Sequence, residues 1–232
     1  NLENNINSIC KYLNITPKDK AITTLPMSYV YGLSIINTHF NQGASIVLNT
    51  KSIIEKYFWT SLQKNKVTNF GGVPYTYSML EKINIKNFNL KNLKYTTQAG
   101  GKINKDVAQK IVKTYRQLNI KLYLMYGAAE ATARMSYLSW DKINNIESIG
   151  KPISGGKFYL EDARQKIITK NYYQGELIFK GKNVCMGYAR NYKDLSKKDE
   201  NKGRLKTGDI AYKDKNNFYY IVGRKDRYIK IY

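Results

Sequence analysis

Cysteine is nearly missing from these 232 residues: Cys10 and Cys185 are the only two, too few and too far apart for a disulfide scaffold or a thiolate metal knuckle. Histidine is scarcer still. His39 stands alone, with no cysteine or carboxylate at catalytic spacing, cannot hold zinc by itself, and on the apolar run 31–40 reads as a packed core residue. No stretch reaches the roughly eighteen apolar residues of a membrane span, and no charged-then-apolar leader opens the chain, so a cytoplasmic location is expected. Internal repeats, low-complexity tracts and linkers are absent. Acidic residues are outnumbered, 17 against 39 Lys plus Arg, which leaves a net charge of +22.

That charge raises nucleic acid as a partner, with the 21 tyrosines available to stack on bases. The lysines are spread along the chain rather than gathered in one stripe, as an A/T-rich coding bias toward Lys, Asn, Ile and Tyr produces. The nucleic-acid reading stands as an alternative. An apolar fraction of 42% supports a real core in one large domain or two modest ones.

Hydrophobic period organises the rest. Leu2, Ile6, Ile9 and Leu13 share one helical face; "SIVLN" (45–49) is a short β-rich run; residues 53–65 return to helical spacing. "VTNFGG" (67–72), a helix at 74–83, "LKYTTQAGG" (93–101), a helix near 104–118 and "IKLYLMY" (120–126) continue the alternation, which predicts a mostly parallel sheet flanked by helices. After about residue 146 the helices fade. Short segments such as "KFYLED", "GELIFKG", "IAYKD" and "FYYIVG" predict a smaller antiparallel, β-barrel-like subdomain.

In open α/β sheets ligands sit beyond the carboxyl ends of the strands. "QAGGK" (98–102) ends one expected strand with paired glycines, Gly100 and Gly101, where backbone can approach a ligand closely. "YGAAE" (126–130) ends the next with an aromatic plane at Tyr126, a turn at Gly127 and a carboxylate at Glu130. Further on, Asp209 in "LKTGDIAY" is placed to accept hydrogen bonds from vicinal hydroxyls, or simply to cap a turn.

Seven blocks in order, "LPMSYVYGLS" (25–34), "GGVPYTYSML" (71–80), "YTTQAGGKI" (95–103), "LYLMYGAAEATARMSYL" (122–138), "GELIFKGKNVCMGY" (175–188), "LKTGDIAY" (205–212) and "GRKDRYIK" (223–230), resemble consecutive motifs of the adenylate-forming, AMP-binding enzymes: acyl-CoA synthetases, luciferases and peptide-synthetase adenylation domains. The resemblance implies an ATP-dependent ligase that makes an acyl-adenylate, releases pyrophosphate and passes the acyl group to a thiol, either coenzyme A or a carrier-protein phosphopantetheine. It implies that Tyr126 lies against adenine, with Gly127 beside it. Gly100 and Gly101 line the adenine and acyl sites, and Glu130 holds Mg²⁺ on the phosphates of ATP. Asp209 takes the ribose, Arg224 contacts ribose or phosphate, and Asp226 occupies a hinge. Tyr29, Gly72 and Val73 fall where the carboxylate substrate is received, and the apolar lining expected there favours a fatty or aryl acid.

The composition change near 146, with the hinge that the resemblance implies, divides the chain into an α/β subdomain at 1–145, a β-barrel-like subdomain at 146–223, and a hinge with the start of a C-terminal domain at 224–232. Ala129 stands where relatives carry a threonine that touches phosphate, which keeps a catalytically degenerate scaffold in view. The chain opens on Asn1, past the place of the phosphate loop, and closes on "RYIKIY" in mid-strand. A segment of a longer enzyme, inactive by itself, is expected.

Overall fold

The structure, a computed structural model, describes residues 1–225. Helices and strands alternate as the periodicity requires: α1 (Leu2–Leu13), β1 (Lys20–Ile22), α2 (Val30–Asn41), β2 (Ser45–Val47), α3 (Lys56–Lys64), β3 (Asn69–Gly72), α4 (Pro74–Lys82), β4 (Tyr95–Gln98), α5 (Lys105–Leu118) and β5 (Lys121–Tyr126). The boundaries have local causes. Asn104 accepts hydrogen bonds from the N–H groups of Asp106 and Val107 at 2.9 and 3.2 Å, which starts α5, and Asn119 in a left-handed conformation (φ 55°) ends it. Between those caps Ala108, Ile111, Val112 and Tyr115 form the buried stripe. Pro74 opens α4, where its fixed φ suits the first turn. The expected helix at 53–65 begins later, at Lys56, because Ser52 and Glu55 close a turn first, with Ser52 N–H donating to Glu55 Oε1 at 2.7 Å.

β1 to β5 form a parallel array in the order β2-β1-β3-β4-β5, and β6 (Ser136–Leu138) and β7 (Lys151–Pro152) extend it antiparallel. The order reverses between β1 and β3, and the carboxyl ends of the parallel strands all open on one edge. The second sheet is antiparallel, in the order β12-β11-β10-β8-β9, built from β8 (Lys157–Glu161), β9 (Ile167–Ile168), β10 (Gly175–Lys180), β11 (Arg204–Lys213) and β12 (Tyr219–Arg224). Period-two alternation is visible in it: Phe158, Leu160, Leu177 and Phe179 face the core, while Lys157 and Lys180 face solvent. The seven-stranded sheet runs on through Pro152, past the composition change near residue 146.

The two sheets are tied directly. Gly150 forms an antiparallel bridge to Tyr219, and the carbonyl of Tyr219 accepts from Ile149 N–H at 2.9 Å and from Ser148 Oγ at 2.8 Å. Under the parallel sheet the core gathers Phe58, Trp59, Phe70 and Tyr77, each no more than 1% exposed and each stabilising by roughly 2–3 kcal/mol on burial. On α1 the buried line runs through Ile9, Cys10 and Leu13, whereas Leu2 sits at the free end of the helix and is 52% exposed. His39 is a core residue, with Nδ1 2.8 Å from the carbonyl of Ile35 and Nε2 accepting from Asn69 Nδ2 at 3.1 Å. Burial holds its imidazole below the ordinary pKa of 6.5. No helix among the described residues is long and apolar enough to cross a membrane.

Candidate functional site

The loop after β4 is held from within. Gln98, buried, turns its side chain back so that Nε2 donates to the carbonyl of Gly101 at 2.9 Å, which fixes Gly100 and Gly101. Gly100 has φ +83°, and a Cβ there would lie 2.6 Å from Tyr29 Oη and 3.2 Å from Val73 Cγ1. Tyr29, just before α2, and Val73, just before α4, therefore converge on this glycine. Gly72 is buried in β3, where a Cβ would press on Thr76 and Tyr77 at 2.9 to 3.0 Å, so its place is in the packing of β3 against α4.

Tyr126 ends β5, and its hydroxyl donates to Asp209 Oδ2. The other carboxylate oxygen of Asp209 lies 3.2 Å from Nε of Arg224, its cross-strand neighbour in the β11–β12 pair. Thr207 steadies this corner by donating to the carbonyl of Leu177 at 2.7 Å and accepting from Asp209 N–H at 3.1 Å. Burial, followed by the negative charge of Asp209, pushes the Tyr126 hydroxyl well above its ordinary pKa, so it remains a donor. Gly127 admits no side chain: a Cβ would fall 1.7 Å from the carbonyl oxygen of Ala133, because the loop folds back on itself.

That fold-back presents Glu130 on a single 3₁₀ turn, Ala129–Ala131, with its carbonyl accepting from Cys185 N–H at 2.7 Å. Tyr188 donates its hydroxyl to Glu130 Oε1, and this bond to a carboxylate, together with burial, pushes the phenol up to about 12. Among the described residues no group of three or more His, Cys, Asp or Glu could hold a metal. Glu130 is a single carboxylate on the cleft wall, and one hard oxygen donor is what a protein commonly gives a magnesium ion that keeps phosphate and water as its other ligands.

Tyr29, Gly100, Gly101, Tyr126, Gly127, Glu130, Asp209 and Arg224 all line one open cleft of about 640 Å³ at the carboxyl ends of β4 and β5. Asp226 lies outside the described residues. Several site residues were not singled out individually in the sequence. Tyr188 closes the block "GELIFKGKNVCMGY", but its pairing with a carboxylate 58 positions away carries no local signal. Gln98 and Thr207 act through loop geometry. Arg134 is 2% exposed and has no salt bridge among the described residues; its Nε donates to Met125 Sδ at 3.1 Å and its guanidinium lies 4.0 Å from the centre of the Tyr31 ring.

Chemically, the cleft offers an aromatic face, backbone freed of side chains, two carboxylates and a guanidinium. Among curated proteins the chain is 27% identical over 215 residues to a 2-succinylbenzoate–CoA ligase of Bacillus cereus, covering 92% of this chain and 43% of that protein. Against a luciferin 4-monooxygenase of Luciola mingrelica it is 26% identical over 217 residues, covering 93% of this chain and 39% of the relative. It therefore spans about two-fifths of the length of these relatives. Among solved structures, the N-terminal domain of FACL13 from Mycobacterium tuberculosis superposes with a TM-score of 0.83 at 17% identity, over 96% of this chain and 55% of that one. The o-succinylbenzoate coenzyme A synthetase of Bacillus subtilis in complex with ATP and magnesium ion gives 0.81 at 23% identity, over 97% and 46%. A family model described as AMP-binding enzyme matches residues 1–189, and the chain belongs to that family.

Proposed function

We propose that the cleft binds the adenosine monophosphate part of ATP and that the protein activates a carboxylic acid, fatty or aryl, as its acyl-adenylate. The convergence of Gly100, Tyr126, Glu130, Asp209 and Arg224 on one cleft supports this reading. Tyr126 offers its ring to adenine, Asp209 accepts from the ribose hydroxyls with the lone pairs that Tyr126 and Arg224 leave free, and Arg224 offsets phosphate charge. Tyr29 and Val73, meeting over Gly100, border the acyl end, with Gly72 shaping the wall behind them.

A carboxylate is a weak acylating agent at neutral pH. In the proposed reaction its oxygen attacks the α-phosphorus of ATP, the bond to the β-phosphate breaks, and pyrophosphate leaves. A thiol, from coenzyme A or a carrier-protein phosphopantetheine, then attacks the acyl carbon and AMP departs. Glu130 would hold magnesium, which when bound supplies charge neutralisation on the phosphates; one such electrostatic contact contributes about 3–4 kcal/mol to lowering a barrier. Asp226 is proposed as the hinge by family resemblance alone. A location in the cytoplasm belongs to the same reading. The 232 residues hold the nucleotide, and turnover draws on parts of the longer relatives.

Calorimetry with AMP tests this. Binding is expected, and Asp209→Ala is expected to weaken it by roughly tenfold to a hundredfold, as losing hydrogen bonds to a charged group does. Stabilisation by an oligonucleotide instead, lost at high salt, would favour the basic nucleic-acid-binding alternative. Binding with no turnover in any longer form of the protein would favour the degenerate scaffold that Ala129 suggests.

A further inference from the structure

A second cleft, of about 740 Å³, adjoins the first and shares Ala128, Glu130, Thr207 and Arg224 with it. Its floor is the outer face of the antiparallel sheet, with Lys180, Arg204 and Lys206, and its lip carries Glu200 and Lys202. Tyr188, bonded to Glu130, stands where the two clefts meet. A shallower groove of about 400 Å³, lined by Lys157, Lys180, Lys182 and Lys202, continues it outward.

The charge arrangement is costly without a partner. Lys157 is directly opposite Lys180 on one side, and Lys180 directly opposite Arg204 on the other, so three cations form one row across three strands. Like charges in that relation destabilise a sheet. The nearby acids relieve it only at one end: Glu161 is held by Arg204 at 2.7 and 2.8 Å, which leaves Lys157 and Lys180 facing each other; Asp209 is taken by Arg224, and Glu200 lies 3.9 Å from Lys197. Lys157, Lys180, Lys182, Lys202 and Lys206 are all exposed and have no salt-bridge partner among the described residues; Lys206 Nζ donates only to the neutral Gln165, at 3.3 Å. In this walled trough the cations Lys180, Lys202, Arg204, Lys206 and Arg224 outnumber the acids Glu130 and Glu200, and such an excess of one sign concentrates counter-ions. Its inner end is Glu130 and Arg224, beside the place proposed for the phosphates.

We propose that this trough is a binding site for a diphosphate anion. The proposal rests on the nucleotide reading of the first cleft only for which diphosphate arrives: pyrophosphate leaving the adenylation step, or the diphosphate of a nucleotide-bearing thiol acceptor such as coenzyme A. Either would lie along Lys180, Lys202 and Lys206, with its charge set against cations that no acid pairs with among the described residues.

The test uses calorimetry on the chain with three probes, magnesium pyrophosphate, coenzyme A and AMP, for the wild type, for Lys180→Glu/Lys202→Glu, and for Lys86→Glu/Lys113→Glu, an equal charge change on exposed residues outside the trough. The trough variant is expected to bind pyrophosphate about tenfold more weakly, and AMP within about twofold of the wild type. A loss confined to coenzyme A supports the site and names the acceptor as its source. The neutral pair Lys180→Gln/Lys202→Gln, which removes half the charge change, is expected to show an intermediate loss. Equal weakening by the control pair, equal weakening of AMP, or no weakening of either diphosphate overturns the proposal. Failure of the wild type to bind AMP while it binds pyrophosphate counts against the nucleotide reading and leaves the trough standing.

Discussion

Arg134 is the residue whose environment is least expected from its chemistry. A guanidinium taken out of water usually finds a carboxylate, because burying a charge alone is expensive. Here the ring of Tyr31 and the sulfur of Met125 take that place. Removing one member of a buried ion pair strands the other, but no acid is paired with Arg134 among the described residues, so nothing is stranded when it goes. Arg134→Met, similar in length and apolar, is therefore expected to keep stability within about 1 kcal/mol of the wild type or to raise it, as measured by urea unfolding. A loss several times larger would mean that the cation organises its neighbours. The contrast with Glu130, four positions earlier, is informative. Both lie in "YGAAEATARM", where the sequence marked Glu130 alone as the cleft carboxylate and gave no sign of the burial of Arg134, since the left-handed turn at Thr132 and Ala133 that sends them apart depends on Gly127 lying close against Ala133.

Among the elements, α2 carries a pH response. His39 is the only histidine, neutral in the fold because burial disfavours its cation, with Asp19 opposing that only in part. The folded pKa lies below 6.5, so as pH falls through 6.5 the unfolded chain takes up a proton that the folded chain refuses. Stability is thus complete above that value and is expected to decline on acidification by up to about 1.4 kcal/mol per pH unit, until the folded pKa is reached. Denaturant titrations between roughly pH 7.5 and 5.5 measure the slope, and His39→Gln, which keeps a donor and an acceptor, is expected to flatten it. An unchanged slope would assign the effect elsewhere. Elements with strong periodicity and explicit caps were legible in the sequence: α5, α4 and α1 fall where the apolar spacing put them, and β5 where "KLYLMY" did. The short parallel strand β1, three residues long, was not, because its burial on both faces leaves no alternation to read. The cleft was legible in outline, from the glycines and charges at the exits of β4 and β5 and from Asp209, which lies within β11 rather than capping a turn. The Tyr188–Glu130 contact and the second cleft were not, because they arise from where the sheets meet.

At the scale of the molecule, a charge of +22 read as a diffuse property of composition, and the fold converts part of it into position by aligning Lys157, Lys180 and Arg204 across adjacent strands. Spacing along the chain holds no trace of that row, since its members come from three separate strands. The seam at Gly150 and Tyr219 has a mechanical meaning. β12 grips the parallel sheet at its start, through Tyr219, and clasps Asp209 at its end, through Arg224. Tension applied to the chain after Lys225 would load the Arg224 end first, peeling the strand away from Asp209 while the Tyr219 anchor still holds. In an optical trap a nucleotide held as proposed is accordingly expected to be shed at lower force than the rupture of either sheet, so that β12 behaves as a release cord for whatever the cleft retains.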